Sequence, residues 1–238
     1  MKFGFLSNNA LKIIACITMF IDHLGFIFFP TIAIYRIIGR IAFPLFAFMI
    51  AEGCYYTKNK IKHLALISGF AIVMQVVLYM ATQMTDFNIF IPFSIAIIII
   101  YLIDYADLKL RTNNIIFGIL SIIAAILLTI FFYWFTETYT YFYSNYGFYS
   151  IIIPVVLFII KKYLPNINHI VCIPFICFFM FLMVKHMNFQ YQLWGMLACI
   201  FILLYNGKKG KLNLKYIFYF FYPLHLVLLY GIQMFIGG

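Results

Sequence analysis

The sequence predicts an all-α integral membrane protein, a polytopic bundle of about nine transmembrane helices. Of its 238 residues, 66% are apolar and only 9% are charged, which leaves too little polar surface to coat a soluble domain of this length. The mean hydropathy is +1.06. The apolar runs last roughly 16 to 22 residues, which is the length that a helix needs to cross a bilayer.

These spans predict a single transmembrane domain over residues 1–238. No soluble domain, long linker or fixed-period repeat interrupts them. The first run continues through Asp22 and His23 with no cleavage site after it, so we expect a retained helix and not a signal peptide. With boundaries uncertain by roughly 2 to 4 residues, the nine spans are expected at 9–29, 35–56, 63–82, 88–104, 114–134, 147–163, 168–184, 190–205 and 216–235.

Lysine and arginine alternate between the predicted loops, which sets the topology. The positive-inside rule places the N-terminus in the cytoplasm and the C-terminus outside. The Ile, Lys and Asn bias indicates a bacterium, so we expect a multi-pass protein of the inner (cytoplasmic) membrane, surrounded by lipids. The net charge of +10 forms no patch that would predict nucleic acid binding. The residues assigned to the inner side are Lys2, Lys12, Lys58, Lys60, Lys62, Lys109, Arg111, Lys161, Lys162, Lys208, Lys209, Lys211 and Lys215.

Two further groups of residues have ordinary structural interpretations. The five cysteines lie mostly in apolar segments without C-x-x-C or zinc spacing, so we expect packing residues and no metal. The outer loop from Phe135 to Tyr146 is rich in tyrosine, which is typical of a membrane interface.

Five ionisable residues within the first two predicted spans are the main candidates for chemistry: Asp22, His23, Arg36, Arg40 and Glu52. Inserting each ionised side chain near a bilayer centre costs about 2.5 to 3.5 kcal/mol, so we expect a cluster of five to have a function. His23 is the candidate general base, and a carboxylate such as Asp22 or Glu52 would orient its imidazole. The structural alternative is that His23 bonds a backbone carbonyl while Asp22 pairs with an arginine.

Arg36 and Arg40 are four residues apart and therefore project from one helix face, as anion-binding groups do. The alternatives are that Arg40 neutralises Asp22 and that Arg36 reaches head groups. Pro44 would loosen the backbone one turn further on. Glu52 lies about 18 Å beyond Arg40 along the axis, so it approaches the inner side, where it orients another polar group or pairs with a lysine such as Lys58.

Near the C-terminus, Tyr222, Pro223 and His225 interrupt the last span about midway and place an imidazole near the bilayer centre. The preceding inner loop, Asn206-Gly207-Lys208-Lys209-Gly210, has the glycines and lysines of a phosphate-binding turn, although topology also demands basic residues there.

Together these motifs resemble the TraX family over nearly the whole chain. The resemblance implies an integral membrane acetyltransferase, known in the family for acetylating the N-terminal amine of a pilin, with cytosolic acetyl-CoA as donor. The family motif covers Asp22, His23, Arg36, Arg40, Glu52, Asn206, Lys208, Tyr222 and His225. The resemblance is carried by Met19-Phe20-Ile21-Asp22-His23-Leu24-Gly25, Arg36-Ile37-Ile38-Gly39-Arg40-Ile41-Ala42-Phe43-Pro44, Glu52-Gly53, Tyr205-Asn206-Gly207-Lys208-Lys209-Gly210 and Phe221-Tyr222-Pro223-Leu224-His225-Leu226.

We therefore expect His23 to deprotonate an acceptor amine or hydroxyl, or to carry the acetyl group itself, while Arg40 or His225 stabilises the oxyanion. The acceptor, a peptide, glycan or small metabolite, and the oligomeric state, a homodimer included, stay open. A transporter or flippase with the same charges along a substrate path is the rival interpretation, and a non-catalytic scaffold is a third. The predicted catalytic residues are His23, Asp22, Arg40, Glu52 and His225, and the predicted cofactor-binding residues are Arg36, Asn206, Lys208, Lys209 and Tyr222.

Overall fold

The computed structural model describes residues 4–83, 86–139, 146–165, 168–187, 190–211 and 215–236, with side chains except at 81–82, 168–169 and 215–219. Over these ranges the chain is helical, and the only β pairing is one isolated bridge between Leu6 and Tyr205. The helices are α1 Asn8–Phe28, α2 Ala33–Gly39, α3 Ala42–Tyr56, α4 Lys60–Thr82, α5 Phe90–Arg111, α6 Ile115–Thr138, α7 Tyr149–Tyr163, α8 Asn168–Met187, a 3₁₀ segment Gln190–Leu197, α9 Ala198–Leu203 and α10 Lys215–Ile236.

The helical prediction is confirmed. The described helices also fall where the nine spans were expected, if α2 and α3 are counted as one span and the 3₁₀ segment and α9 as another. Six segments are long and apolar enough to cross a membrane. Insertion and the side of the N-terminus stay predictions. The six segments are Asn8–Phe28, Ala33–Tyr56, Lys60–Met80, Phe90–Arg111, Ile115–Thr138 and Ile170–Met187.

The chain forms two compact units, and the prediction of one domain over 1–238 stays a prediction. The terminal unit comprises Met1–Met49 and Leu164–Gly238, and the middle unit comprises Ile50–Tyr163. In the terminal unit α1 packs on α2 and α10, while the 3₁₀ segment packs on α2 and α8. In the middle unit α5 is central and contacts α4, α6 and α7.

Helix α6 illustrates how apolar helices pack in the middle unit. Its few buried residues are small, Gly118, Ser121 and Ala125, and Ser121 Oγ donates a hydrogen bond to Leu102 O of α5 at 2.8 Å. Large apolar side chains are exposed around the rest of the helix. Small residues at the helix contact and large ones outside are typical of a lipid-facing helix.

The second span is broken where Pro44 predicted a loosened backbone. Helix α2 ends at Gly39 and α3 begins at Ala42. Pro44 has no N–H to bond the carbonyl of Arg40. A proline fits most easily in the first turn of a helix, which is where Pro44 lies in α3.

Two expectations about helix continuity need correction. Pro223 does not interrupt the last span, because α10 is one helix from Lys215 to Ile236. A membrane helix tolerates a proline when neighbouring groups satisfy the freed carbonyl. The eighth span, in contrast, begins as 3₁₀ helix and becomes α-helical only at Ala198.

Some basic residues assigned to loops belong to helices. Lys109 and Arg111 lie in the last turn of α5, and Lys161 and Lys162 in the last turn of α7. Positive charge at a helix C-terminus is favoured by the helix dipole. The tyrosine-rich outer segment is described only to Tyr139 and from Tyr146, and the rest of it lies outside the described residues.

Candidate active site

The carboxylate of Asp22 forms ion pairs with two arginines where α1 contacts α2. Arg40 Nη2 lies 2.5 Å from Asp22 Oδ1 and from Asp22 Oδ2, and Arg36 Nη1 donates to Asp22 Oδ2 at 3.0 Å. The Arg40 side chain is 3% exposed and that of Asp22 12%. The shared face predicted for Arg36 and Arg40 therefore exists, and it faces the carboxylate of the preceding helix.

The close approach of these helices depends on Gly39. A Cβ atom at Gly39 would stand 2.2 Å from both Cβ and Oδ1 of Asp22, well inside van der Waals contact. Only a residue without a side chain lets the Asp22 carboxylate reach the arginines on either side of position 39.

The charge of the cluster is uneven because Asp22 is the single acidic residue of the terminal unit. Two guanidinium groups therefore share one carboxylate. A surplus positive charge in a largely apolar interior favours an anionic ligand or a developing oxyanion. The unit as a whole is strongly basic, with Lys2, Lys12, Arg36, Arg40, Lys185, Lys208, Lys209, Lys211 and Lys215.

His23, the neighbour of Asp22 in α1, pairs with a second histidine. His23 Nδ1 lies 2.8 Å from His225 Nε2 of α10, and the two ring planes are inclined by 25° with their centroids 5.1 Å apart. The partner that orients His23 is therefore His225, 202 positions away along the chain. The expectation that Asp22 or Glu52 orients this imidazole needs correction.

The hydrogen bonds fix the tautomers of both rings. His225 Nδ1 lies 2.9 Å from the carbonyl oxygen of Phe221, which can only accept, so Nδ1 of His225 is the donor. With both rings neutral, His225 Nε2 is then an acceptor and His23 donates from Nδ1. The lone pair of His23 is left on Nε2, which bonds no described residue, and the side chain is only partly buried.

Aromatic rings hold His225 in place. Phe221 stacks on its imidazole with centroids 5.0 Å apart, and Tyr222 meets it edge-on at 5.5 Å. Phe20, one turn before His23 in α1, also meets the His225 ring edge-on, with centroids 6.3 Å apart. His225 is 4% exposed, so the ring that orients His23 is itself immobilised. Tyr222, predicted to bind a cofactor, packs in this aromatic setting.

The glycine–lysine loop is held against the N-terminal end of α1. Lys208 O and Lys209 O accept hydrogen bonds from Asn8 N and Asn9 N, at 2.8 and 3.1 Å, and so cap the helix. Both polar atoms of the Asn206 side chain form hydrogen bonds with the backbone. Oδ1 accepts from Lys208 N at 2.9 Å, and Nδ2 donates to Phe5 O at 3.3 Å. Asn206 therefore shapes the loop, while the side chains of Lys208 and Lys209 are exposed.

Glu52 lies in the middle unit, where its partner is Lys161. Lys161 Nζ is 2.9 Å from Glu52 Oε1, and it also lies over the rings of Tyr55 and Tyr56, 5.4 and 5.1 Å from their centroids. The expected alternative of a pairing lysine is thus realised, although the lysine is not Lys58. Both charges are buried.

Sequence reasoning missed two contributors to the site. Gly39 lies between two arginines in a helix, and a glycine in such a place signals a close backbone approach. The carbonyl of Phe221 is one helical turn before His225, the position at which a polar side chain can bond back to its own helix. Within the described residues no group of three metal-ligating side chains is close enough to hold an ion.

The fold and the site define a class: an all-helical protein with the helix lengths and composition of a polytopic membrane protein, carrying an oriented histidine pair beside an arginine–aspartate cluster. The chain belongs to the TraX family, whose model, described as TraX protein, matches residues 7–233.

Two further proteins are similar to this chain. A protein of Dichelobacter nodosus named "Probable fimbrial assembly protein FimC, serogroup H1" is 26% identical over 251 residues, which cover 95% of each chain. A Rickettsia prowazekii (strain Madrid E) protein named "Uncharacterized protein RP591" is 45% identical over 53 residues, 22% of this chain and 21% of that one. No solved structure gives a significant match.

Proposed function

We propose that this protein is a membrane-embedded acetyltransferase that transfers an acetyl group from cytosolic acetyl-CoA to an amine or hydroxyl of a membrane-associated or extracytoplasmic acceptor. Membership of the TraX family supports this function. The name of the Dichelobacter relative, a fimbrial assembly protein, favours the N-terminus of a pilin-like peptide as acceptor. We place the protein in the bacterial cytoplasmic membrane with its N-terminus inside.

One observation carries the proposal: His23 Nδ1 bonds His225 Nε2, and His225 Nδ1 bonds the carbonyl of Phe221. For two neutral rings these contacts leave the lone pair of His23 on Nε2. A general base needs a fixed lone pair that a substrate can reach, and His23 is only partly buried. His225 acts as a positioning residue, because it sets the tautomer through the carbonyl of Phe221.

In the proposed reaction, His23 Nε2 takes the proton of the acceptor amine while the amine nitrogen bonds the acetyl carbonyl carbon. The carbon–sulfur bond of the thioester then breaks, and the sulfur leaves with its electron pair. The same lone pair serves a route in which His23 first carries the acetyl group. The surplus positive charge of Arg36 and Arg40 over Asp22 favours the oxyanion that forms between these steps, and such stabilisation is typically worth about 2.7 to 4 kcal/mol per donor.

The donor supplies the acetyl thioester, and basic residues of the terminal unit are suited to its phosphates. Lys208 and Lys209 are exposed, and their backbone is fixed by hydrogen bonds to the start of α1. A fixed backbone with projecting ammonium groups favours phosphate binding, because less conformational entropy is lost. Asn206 contributes by shaping this loop.

The test uses purified protein, labelled acetyl-CoA and membranes of the source cell. We expect label to enter an acceptor with wild type and to be lost by at least about 100-fold in His23→Gln, since general base catalysis is typically worth that much. His186→Gln, which replaces an exposed histidine of α8, is the matched control and should transfer at the wild-type rate.

A His23→Gln protein that transfers acetyl at the normal rate would remove His23 from the mechanism. Thermal stabilisation by CoA is a second measurement, and we expect wild type to show it. If neither labelling nor a CoA-dependent shift occurs, transport along the same charged residues becomes the better interpretation.

A further inference from the structure

Two of the five cysteines, Cys177 of α8 and Cys199 of α9, are in contact with each other. Their Sγ atoms lie 4.0 Å apart, and all five thiols are free. A disulfide joins sulfur atoms that are about 2.05 Å apart, so each sulfur has to move by only about 1 Å to form the bond. The two thiols are therefore already placed as the partners of a disulfide.

The backbones on which the two cysteines lie also approach each other closely. Helices α8 and α9 pack together, and a Cβ at Gly195, one turn before Cys199, would stand 2.9 Å from Met180 Sδ of α8. The contacts Gly195–Met180 and Cys199–Cys177 follow the two helices in opposite chain directions, as in an antiparallel pair. Because glycine and cysteine are small, the helices can come as close as a disulfide requires, with Cα atoms about 4.4 to 6.8 Å apart.

The cysteine pair lies where the contact between α8 and α9 meets the apolar outer surface. Cys199 is 6% exposed, whereas Cys177 is half-buried. The residues that directly follow the cysteines, Phe178 and Ile200, are 55% and 54% exposed, as is typical of a face that contacts lipid. A molecule dissolved in the lipid can therefore reach the sulfur of Cys177 from this surface.

The predicted depth of the pair in the membrane indicates which oxidant it meets. Both cysteines lie near the middle of their predicted spans, 168–184 and 190–205. Glutathione and other charged thiols are excluded from that depth, because a charge is costly to remove from water. Lipid-soluble quinones dissolve there, and quinones already supply the oxidising power for disulfide formation in the bacterial periplasm.

We propose that Cys177 and Cys199 form a redox site that a lipid-soluble quinone oxidises to a disulfide. Two S–H bonds break and one S–S bond forms, and the two protons and two electrons pass to the quinone, which leaves as a hydroquinone. The half-buried sulfur of Cys177 meets the quinone first, and the sulfur of Cys199 completes the bond. This site does not depend on the proposed acetyltransferase function.

The disulfide would act as a clamp on the segment that leads into α9. It would tie α9 to α8 one turn after Gly195, where a Cβ would stand 3.2 Å from Arg40 O. The 3₁₀ segment would thereby be held against the backbone of Arg40, which pairs with Asp22. Oxidation would thus make the surroundings of the arginine–aspartate cluster more rigid.

The first measurement counts the thiols of the purified protein in lipid vesicles before and after treatment with a decyl-substituted benzoquinone. Iodoacetamide added under denaturing conditions should alkylate all five cysteines of the untreated protein. We expect the treated protein to lose two of these alkylations in its intact mass and to give a proteolytic fragment linked through Cys177 and Cys199. Reduction with dithiothreitol should restore both thiols.

Two variants and a second oxidant complete this measurement. Cys199→Ala should lose no alkylation on quinone treatment, whereas the matched control Cys16→Ala, in α1, should lose two as wild type does. Copper–phenanthroline, which oxidises neighbouring thiols without a quinone, should link the same pair. Wild type that keeps every alkylation after quinone treatment, or that links a different pair of cysteines, would overturn the proposal, even if copper–phenanthroline joins Cys177 to Cys199.

The second measurement tests the clamp through the unfolding temperature of the oxidised protein. We expect the disulfide to raise this temperature by about 5 °C or more in wild type, because it restricts the unfolded chain without distorting the folded one. Cys177→Ala treated with the same quinone should show no rise. An unchanged or lower unfolding temperature in fully cross-linked wild type would overturn the clamp, since the bond would then distort the contact between α8 and α9.

Discussion

The terminal unit and the middle unit use charge in opposite ways. In the middle unit five acidic residues accompany seven basic ones, and its ion pairs are connected: Lys162 Nζ lies 2.5 Å from Asp104 and 2.8 Å from Asp107. Lys60 adds a second bond to Asp104. In the terminal unit one acid accompanies nine basic residues, and that acid already serves two arginines.

This contrast suggests different roles for charge in the two units. The ion pairs of the middle unit support its fold, whereas the positive charge of the terminal unit favours an anionic ligand. Where acidic and basic residues are nearly equal in number, the field largely cancels and the ion pairs mainly fix helix contacts. Where carboxylates are scarce, surplus positive charge persists, and beside the buried cluster of Asp22, Arg36 and Arg40 it favours an anion that is bound or formed there. The histidine pair lies in the unit that keeps the surplus.

The largest expected effect comes from removing the single acid of the terminal unit. Asp22→Asn removes the carboxylate that Arg36 and Arg40 share, which should lower the free energy of unfolding by about 5 kcal/mol, the upper end for a broken buried pair. Asp107→Asn, the middle-unit control, should cost less than about 1 kcal/mol because Lys162 retains Asp104. Denaturant unfolding followed by labelling of the buried cysteines measures both, and equal losses would contradict the contrast.

A double-mutant cycle on Glu52 and Lys161 tests whether the middle unit is balanced pair by pair. Glu52→Gln alone should cost about 3 kcal/mol, because it leaves a buried ammonium group. Adding Lys161→Met should restore most of that loss, since no charge is then left over. The equivalent terminal-unit pair, Asp22→Asn with Arg40→Met, should recover much less because Arg36 remains. Full recovery there would show that the surplus charge is not a property of the cluster.

Alanine substitutions at Gly39 and Gly69 compare how tightly the two units are packed. Gly39→Ala places a methyl group 2.2 Å from Asp22, so we expect a loss of about 1 to 3 kcal/mol in unfolding free energy together with reduced acetyl transfer. Gly69→Ala in α4 meets no atom within 4 Å and should stabilise the protein by up to about 1 kcal/mol. The prediction is wrong if both alanine variants behave alike.

The smallest effect on stability is expected at the exposed lysines. Lys208→Gln with Lys209→Gln should leave the free energy of unfolding unchanged within about 0.5 kcal/mol. The KM for acetyl-CoA should rise by about threefold or more, and less so at high salt, where exposed charges are screened. Lys58→Gln with Lys62→Gln in the middle unit should not alter the KM. An equal rise in both double variants would argue against a phosphate site on the glycine–lysine loop.

Much of the fold was predictable because it depends on local properties of the chain. The length of an apolar run and its flanking charges predict a helix without knowledge of its neighbours. Pro44 coincides with the break in the second span, whereas Pro223 lies within a continuous helix. Helix ends were less predictable: α5 continues to Arg111, which pairs with Asp107 one turn earlier, at 3.0 Å. Long basic side chains let an apolar helix extend past the membrane interface.

By itself the sequence determined the helical class, the scarcity of acidic residues in the terminal unit, and which residues are candidates for catalysis or binding. Only the tertiary structure decided their partners. Asp22 pairs with arginines and not with its neighbour His23, because adjacent residues on a helix point about 100° apart. His23 meets His225 across 202 positions, and helical periodicity predicts which face a residue occupies but not which other helix that face will meet.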